Sequence, residues 1–185
     1  MQRGCGILYP VSSLPSRFGI GCFSKEAYEF ADFLEAAGQG YWQILPIGPT
    51  GFGDSPYQPF SAFAGNPYFI SPEKLIEEGL LTWDEVNGRD FGQDPERVDY
   101  PLMRKERLAV LRKAYERSGI ANNPDYQRFI CENGWWLDDY ALFMALKSFF
   151  KEARFRSWPE DIRMHWGFAL DYYNRELYFD VEFQK

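Results

Sequence analysis

Histidine is almost missing from this chain: His165 is the only one among 185 residues. A Ser-His-Asp triad or a histidine-based metal site therefore has one candidate, and its neighbours Met164 and Trp166 point to a packing role instead. Cysteine is scarce too. Cys5, Cys22 and Cys131 have no metal-ligand spacing, and an odd count does not suggest a disulfide framework. That usage predicts a reduced, cytoplasmic setting. No apolar run is long enough to span a bilayer, and the opening "MQRGCGILYP" lacks a secretory apolar core. Positive charge is also in deficit. A net charge of −7 argues against nucleic acid or an acidic membrane as partner, because phosphate binding needs clustered lysine and arginine. The single basic run, "MRKERLAVLRKAYER", reads as the solvated face of a helix, interrupted by Glu106 and Glu116.

What is plentiful is aromatic: 19% of the chain, with six Trp, twelve Tyr and seventeen Phe. Rings fill cores, but they also stack on the flat faces of sugars, so their positions must decide. With 45% apolar and 25% charged residues, the chain has the composition of a folded globular protein large enough for a core.

Periodicity suggests βα grammar at the start. "CGILYPVSS" predicts a short buried strand over Cys5–Leu8, ended by Pro10. In "SKEAYEFADFLEAAG", Ser24 suits a helix N-cap and Gly38 the C′ position, while Ala27, Phe30, Ala31, Leu34 and Ala37 form one apolar face. The apolar run "YWQILPIGP", closed by Pro46, predicts a strand covered on both faces. A strand, a helix and a strand in so few residues make a βαβ unit, hence a parallel sheet or a (β/α) barrel.

Helices then take over. Ser71 and Pro72 open a short one, and Thr82 with Glu85 forms a capping box. Residues 89–98 read as a loop, followed by an amphipathic helix that turns Leu108, Leu111, Ala114 and Tyr115 inward and ends at Gly119. Asn123 and Pro124 open a helix expected to close near Gly134, and "WWLDDYALFMALKSFF" predicts a separate buried helix. "SWPEDIR" reads as a turn with a short helix, and helical spacing runs from Leu170 to Lys185 without a C-cap signal. Two strands where a barrel needs eight, and an uncapped last helix, predict the opening part of something larger.

The most distinctive stretch is "GPTGFGDSPYQPFSAFAGNPY", Gly48–Tyr68. It holds four glycines, four prolines and five aromatic rings, and its only charge is Asp54. Glycines 48, 51 and 53 let the backbone turn tightly and approach a ligand, and prolines 46, 49, 56 and 59 reduce the entropy of ordering it. Asn66 suits a turn, and Phe60, Phe63, Tyr68 and Phe69 read as packing residues.

This block, with "GILYPVSSLPSRFGIG" and "AYEFADFLEAAGQGYWQILPIG" before it and "LIEEGLLT" after it, resembles the N-terminal third of the 4-α-glucanotransferases (amylomaltases). The likeness is nearly continuous from Gly6 to Leu81. Beyond residue 90 it is looser, carried by Trp135, Trp136, Asp138, Asp139, Tyr140, Trp158 and Pro159. The resemblance implies an α/β fold: the first βα units of a (β/α)8 barrel, with a mostly helical insertion and the barrel incomplete in this chain. Residues 1–70 would hold barrel strands 1 and 2 with the substrate loop, 71–168 the helical insertion, and 169–185 a helix leading back to the barrel.

The resemblance also implies α-1,4-glucans and maltooligosaccharides as partners and no metal or organic cofactor, with Ser55, Tyr57 and Gln58 contacting glucosyl units. Phe52 stands where a tyrosine often serves a secondary glucan site, keeping the stacking face without the hydroxyl. Retaining glycosyl transfer needs two carboxyl groups about 5–5.5 Å apart. Asp54 has no second acid nearby in sequence, and no position matches the family's catalytic motifs, so the catalytic carboxylates are expected outside this chain. Two other readings compete: a stand-alone α-glucan-binding or scaffold module, and a small glycosidase pairing Asp54 with Asp138 or Asp139. An unfinished barrel further predicts exposed apolar strand edges and self-association.

Overall fold

The computed structural model describes residues 4–51, 53–92, 94 and 96–185. The chain is α/β, and it divides after Ser118 into two compact units.

The first unit begins with strand β1 (Gly6–Leu8), helix α1 (Lys25–Ala36) and strand β2 (Tyr41–Gln43). The strands pair in parallel with Gly6 opposite Tyr41, Ile7 opposite Trp42 and Leu8 opposite Gln43. This is the expected βαβ unit, but neither strand is buried. All of β1 is exposed, and Tyr41 on β2 is 67% exposed. Among the described residues each strand pairs with the other alone, and the Phe30 ring of α1 meets Trp42 at 5.0 Å and Tyr9, just after β1, at 5.1 Å. Trp42 Nε1 also donates to the Tyr9 carbonyl at 2.7 Å. On α1, Ala27 and Leu34 are buried, whereas Ala31 and Ala37 face solvent. Ser24 occupies the N-cap position, but its hydroxyl donates to the Glu26 carboxylate instead of accepting from the backbone. Gly38 ends the helix in the left-handed conformation at φ +69°.

Helices α2 (Pro72–Glu77) and α3 (Trp83–Asn87) begin as their sequences predict. Ser71 accepts from the Lys74 N–H, and the Thr82–Glu85 capping box is complete in both directions. The next helix is irregular: α4 (Tyr100–Leu102), a π turn (Met103–Arg107) and α5 (Leu108–Ser118) run on without interruption. They close a core built on Phe18, Ile20, Tyr68, Leu81, Val86, Phe91, Met103, Val110 and Ala114. Leu111 and Ala114 are buried as expected, Leu108 and Tyr115 only partly. The basic run is not a uniformly solvated face. Arg107 is fully buried and Glu106 nearly so.

The second unit is helical: α6 (Pro124–Phe149), α7 (Glu160–Arg163), α8 (Gly167–Glu176) and α9 (Tyr178–Gln184). Asn123 caps α6 by accepting from the Asp125 and Tyr126 N–H groups. The expected break at Gly134 does not occur. A mid-helix glycine costs about 1 kcal/mol relative to alanine, less than the packing of the long helix provides. α6 is buried along one stripe, Leu137, Ala141, Leu142, Ala145 and Leu146, while Trp135 is 71% exposed, so it is amphipathic and not wholly buried. Of these, Ala141, Leu142, Ala145 and Leu146 pack with Trp158, Ile162, Ala169, Leu177 and Val181. His165 does not pack. It is exposed at φ +55° in the turn between α7 and α8, a conformation histidine tolerates better than most residues.

Candidate functional site: the glycine- and proline-rich loop after the second strand

Backbone bonds close the loop at its base. Asn66 N–H donates to the Ile47 carbonyl at 2.8 Å and Phe60 N–H to Pro49 at 3.3 Å, and Thr50 bridges Pro59 in antiparallel fashion. A side chain on Gly48 would stand 2.9 Å from the Pro59 Cβ, which is why glycine serves there. Asn66 fills the expected turn role, accepting from the Tyr68 N–H at 2.9 Å.

The tip is a compact turn. Asp54 N–H donates to Gly51 O at 3.1 Å, and Gln58 N–H to Ser55 O at 3.2 Å. Ser55 Oγ accepts from the Tyr57 N–H at 3.3 Å. These bonds bring Ser55, Tyr57 and Gln58 together, with Ser55 half-buried, Gln58 exposed and the Tyr57 ring 68% exposed. Phe52, the expected secondary-site ring, lies outside the described residues. Tyr68 and Phe69 pack as expected, but Phe60 and Phe63 are exposed, so the loop carries more accessible rings than its packing reading allowed. A narrow cleft beneath the loop is lined by Pro46, Gly48, Thr50 and Pro56, with Ser12, Ile20 and Tyr100 among the residues opposite. Ser55, Tyr57 and Gln58 do not line it.

Asp54 is held at φ +54°, and its carboxylate accepts from Arg104 Nη1 at 2.9 Å. Burial, and secondarily the Asp54 charge, push the Tyr100 phenol above its ordinary range. Asp138 lies in the second unit, where it pairs with Lys185 Nζ at 2.9 Å. Among the described residues no group of three His, Cys, Asp or Glu side chains could hold a metal ion, and the cysteines are free. No helix among them is long and apolar enough to cross a membrane.

Three residues around the loop escape the sequence reading: Tyr100, Arg104 and Arg107. Arg107 Nη2 donates to the carbonyls of Tyr68 at 3.0 Å and Ile70 at 2.6 Å, fixing the segment that follows the loop. Burial holds its basicity below the usual arginine range. Nothing in a run of mixed charges marks which arginine turns inward.

The comparisons agree with the motif. The sequence profile of the family described as 4-alpha-glucanotransferase matches residues 9–185. A 4-alpha-glucanotransferase of Clostridium butyricum is 49% identical over 95% of this chain and 36% of its own length. That of Thermus thermophilus is 41% identical over 88% of this chain and 32% of its own. The structure of an amylomaltase from Streptococcus agalactiae in complex with acarbose superposes with a TM-score of 0.89 at 37% identity, covering 99% of this chain and 37% of that one. An amylomaltase from Corynebacterium glutamicum, 22% identical with a TM-score of 0.64, shares the fold. The chain spans about a third of the length of the relatives it matches. By the profile match and these identities, the chain belongs to the 4-alpha-glucanotransferase family.

Proposed function

We propose that this chain supplies the glucan-contacting loop of a 4-α-glucanotransferase. The whole enzyme moves α-1,4-glucan segments to the 4-hydroxyl of glucose or maltooligosaccharides by a retaining double displacement. The observation that carries this reading is the exposed turn at Ser55–Gln58, held by its own hydrogen bonds within a chain whose fold matches an acarbose-bound amylomaltase. Tyr57 offers a flat ring and a phenol to a glucosyl unit, Ser55 a hydroxyl and Gln58 an amide. Phe52 serves a secondary glucan site.

Under this proposal β1 and β2 are the first two strands of a (β/α)8 barrel, and the loop follows the C-terminal end of the second, where barrel ligands bind. Residues 71–168 are the helical insertion and 169–185 lead back to the barrel. The nucleophile and acid/base carboxylates belong to later strands, and the Arg104 ion pair on Asp54 fits a structural role for that acid. The exposed Ile7, Leu8, Tyr41 and Ile44 support self-association through the open sheet. The free thiols fit a cytoplasmic setting.

The test is to incubate the 185-residue protein with maltotriose and measure maltoheptaose binding alongside. We expect no glucose or longer chains from this chain alone, and saturable binding that Tyr57→Ala abolishes. Glucose and longer chains that vanish in Asp54→Asn would overturn the placement of the catalytic acids.

A further inference from the structure

Residues four and seven positions apart share a face of a helix. Met103 is followed at that spacing by the buried Arg107 and Val110, so it lies on the inward face, and its neighbour Arg104 turns outward. Met103 is fully buried, whereas the Arg104 side chain is 45% exposed and reaches Asp54 at 2.9 Å. Fifty residues of chain separate the two partners. Asp54 itself sits at φ +54°, a left-handed conformation that aspartate tolerates better than most residues and that an ion-pair partner can hold.

We propose that Arg104 is a positioning residue for the glucan-contacting turn. It clamps Asp54 in the left-handed conformation and so fixes Ser55 and Tyr57 for the sugar. Asp54 N–H closes onto Gly51 and Gln58 N–H onto Ser55, so holding the carboxylate holds the turn from both sides of Ser55. The sugar-related part of this inference rests on the proposed glucan-binding role of the loop, and the clamp itself does not.

The experiment uses the 185-residue chain with Arg104→Met, Arg104→Lys, Asp54→Asn and the Arg104→Met/Asp54→Asn double variant. Two readouts are taken on each: amide hydrogen exchange at Asp54, Gln58 and Phe60, and affinity for maltoheptaose. A partly exposed ion pair is worth about a three- to fivefold change. Arg104→Met should therefore speed exchange at those three amides by that factor and weaken maltoheptaose binding comparably. Val110 and Leu111 in the helix core should be unaffected. Arg104→Lys should restore part of both losses, which a purely steric role for the side chain would not produce. The double variant should match the single ones, because one interaction has been removed in each.

Unchanged exchange in both Arg104→Met and Asp54→Asn overturns the clamp, whatever the sugar does. Faster exchange in a protein whose wild type binds no maltoheptaose supports the clamp and overturns the glucan-binding reading with the positioning role built on it. Faster exchange with unaltered affinity in a wild type that does bind overturns the positioning role alone.

Discussion

Adjacent residues Met103 and Arg104 should differ sharply when each is replaced by alanine, and the direction of the difference reports which of the two faces the core. Met103 is fully buried in the core with Phe18, Phe91 and Val110. Its terminal methyl fills the space beside Gly19, where an added Cβ would come within 2.5 Å of it. Truncating a buried methionine costs about 2–5 kcal/mol from lost transfer energy and the cavity left behind, and complete burial places Met103→Ala near 3 kcal/mol. Arg104→Ala removes one ion pair open to solvent, worth at most about 1 kcal/mol. With a urea dependence of about 2 kcal/mol per molar, the unfolding midpoint should fall by about 1.5 M for Met103→Ala and by no more than about 0.5 M for Arg104→Ala.

A suitable assay is alkylation of Cys22 across a urea series, read by mass spectrometry. Cys22 is fully buried in the same unit, while the exposed Cys5 and Cys131 provide internal references for reagent activity. Equal shifts for the two variants, or a larger one for Arg104→Ala, would refute the inward placement of Met103.

Acid should weaken the helix pair α3–α5 by titrating Glu85. The Arg117 guanidinium grips both its oxygens at 2.7 and 2.6 Å, and Lys113 and the Thr82 N–H add to the effect, holding the carboxyl well below the usual range. A depressed folded-state pKa stabilises above the unfolded value of about 4.3 and is lost as pH falls through and below it. Thermal melts at pH 7 and 3.5 should show a smaller acid loss in Glu85→Gln than in wild type, and an equal loss would count against the grip. Gly21→Ala should cost about 3 kcal/mol or prevent folding, because its Cβ would sit 2.0 Å from the Val11 carbonyl oxygen. Gly38→Ala, with open space around it, should cost about 1 kcal/mol for backbone strain alone; urea midpoints that rank the two the other way would contradict this packing. Arg107→Ala should destabilise by about 3 kcal/mol, as the lost hydrogen bonds from a charged donor to Tyr68 and Ile70 exceed the relief of burying less charge. A higher urea midpoint in that variant would show that desolvation dominates instead.

Much of this protein was legible from the chain alone because the signals are local. The glycine, proline and aromatic pattern of Gly48–Tyr68 identified the loop, and serine, threonine and asparagine caps set the starts of α2, α3 and α6 within a residue or two. Capping and turn chemistry act over three or four positions, so a linear reading can see them. Gly134 misled that reading because a glycine weakens a helix locally, whereas the packing that keeps α6 continuous comes from distant residues such as Trp158 and Val181. His165 misled it as well, since flanking apolar residues do not reveal a left-handed turn.

Tertiary structure alone decided the charges and the strands. Whether an arginine in "MRKER" is buried, like Arg107, or reaches across to Asp54, like Arg104, depends on partners tens of positions away. Apolar strand composition predicted burial for β1 and β2, yet burial requires neighbours, and the two strands pair with each other alone among the described residues. Local signals were enough to mark the helix caps, the glycine- and proline-rich loop and the family. Long-range packing determined which of those residues face the core, which pair, and which remain open to a ligand.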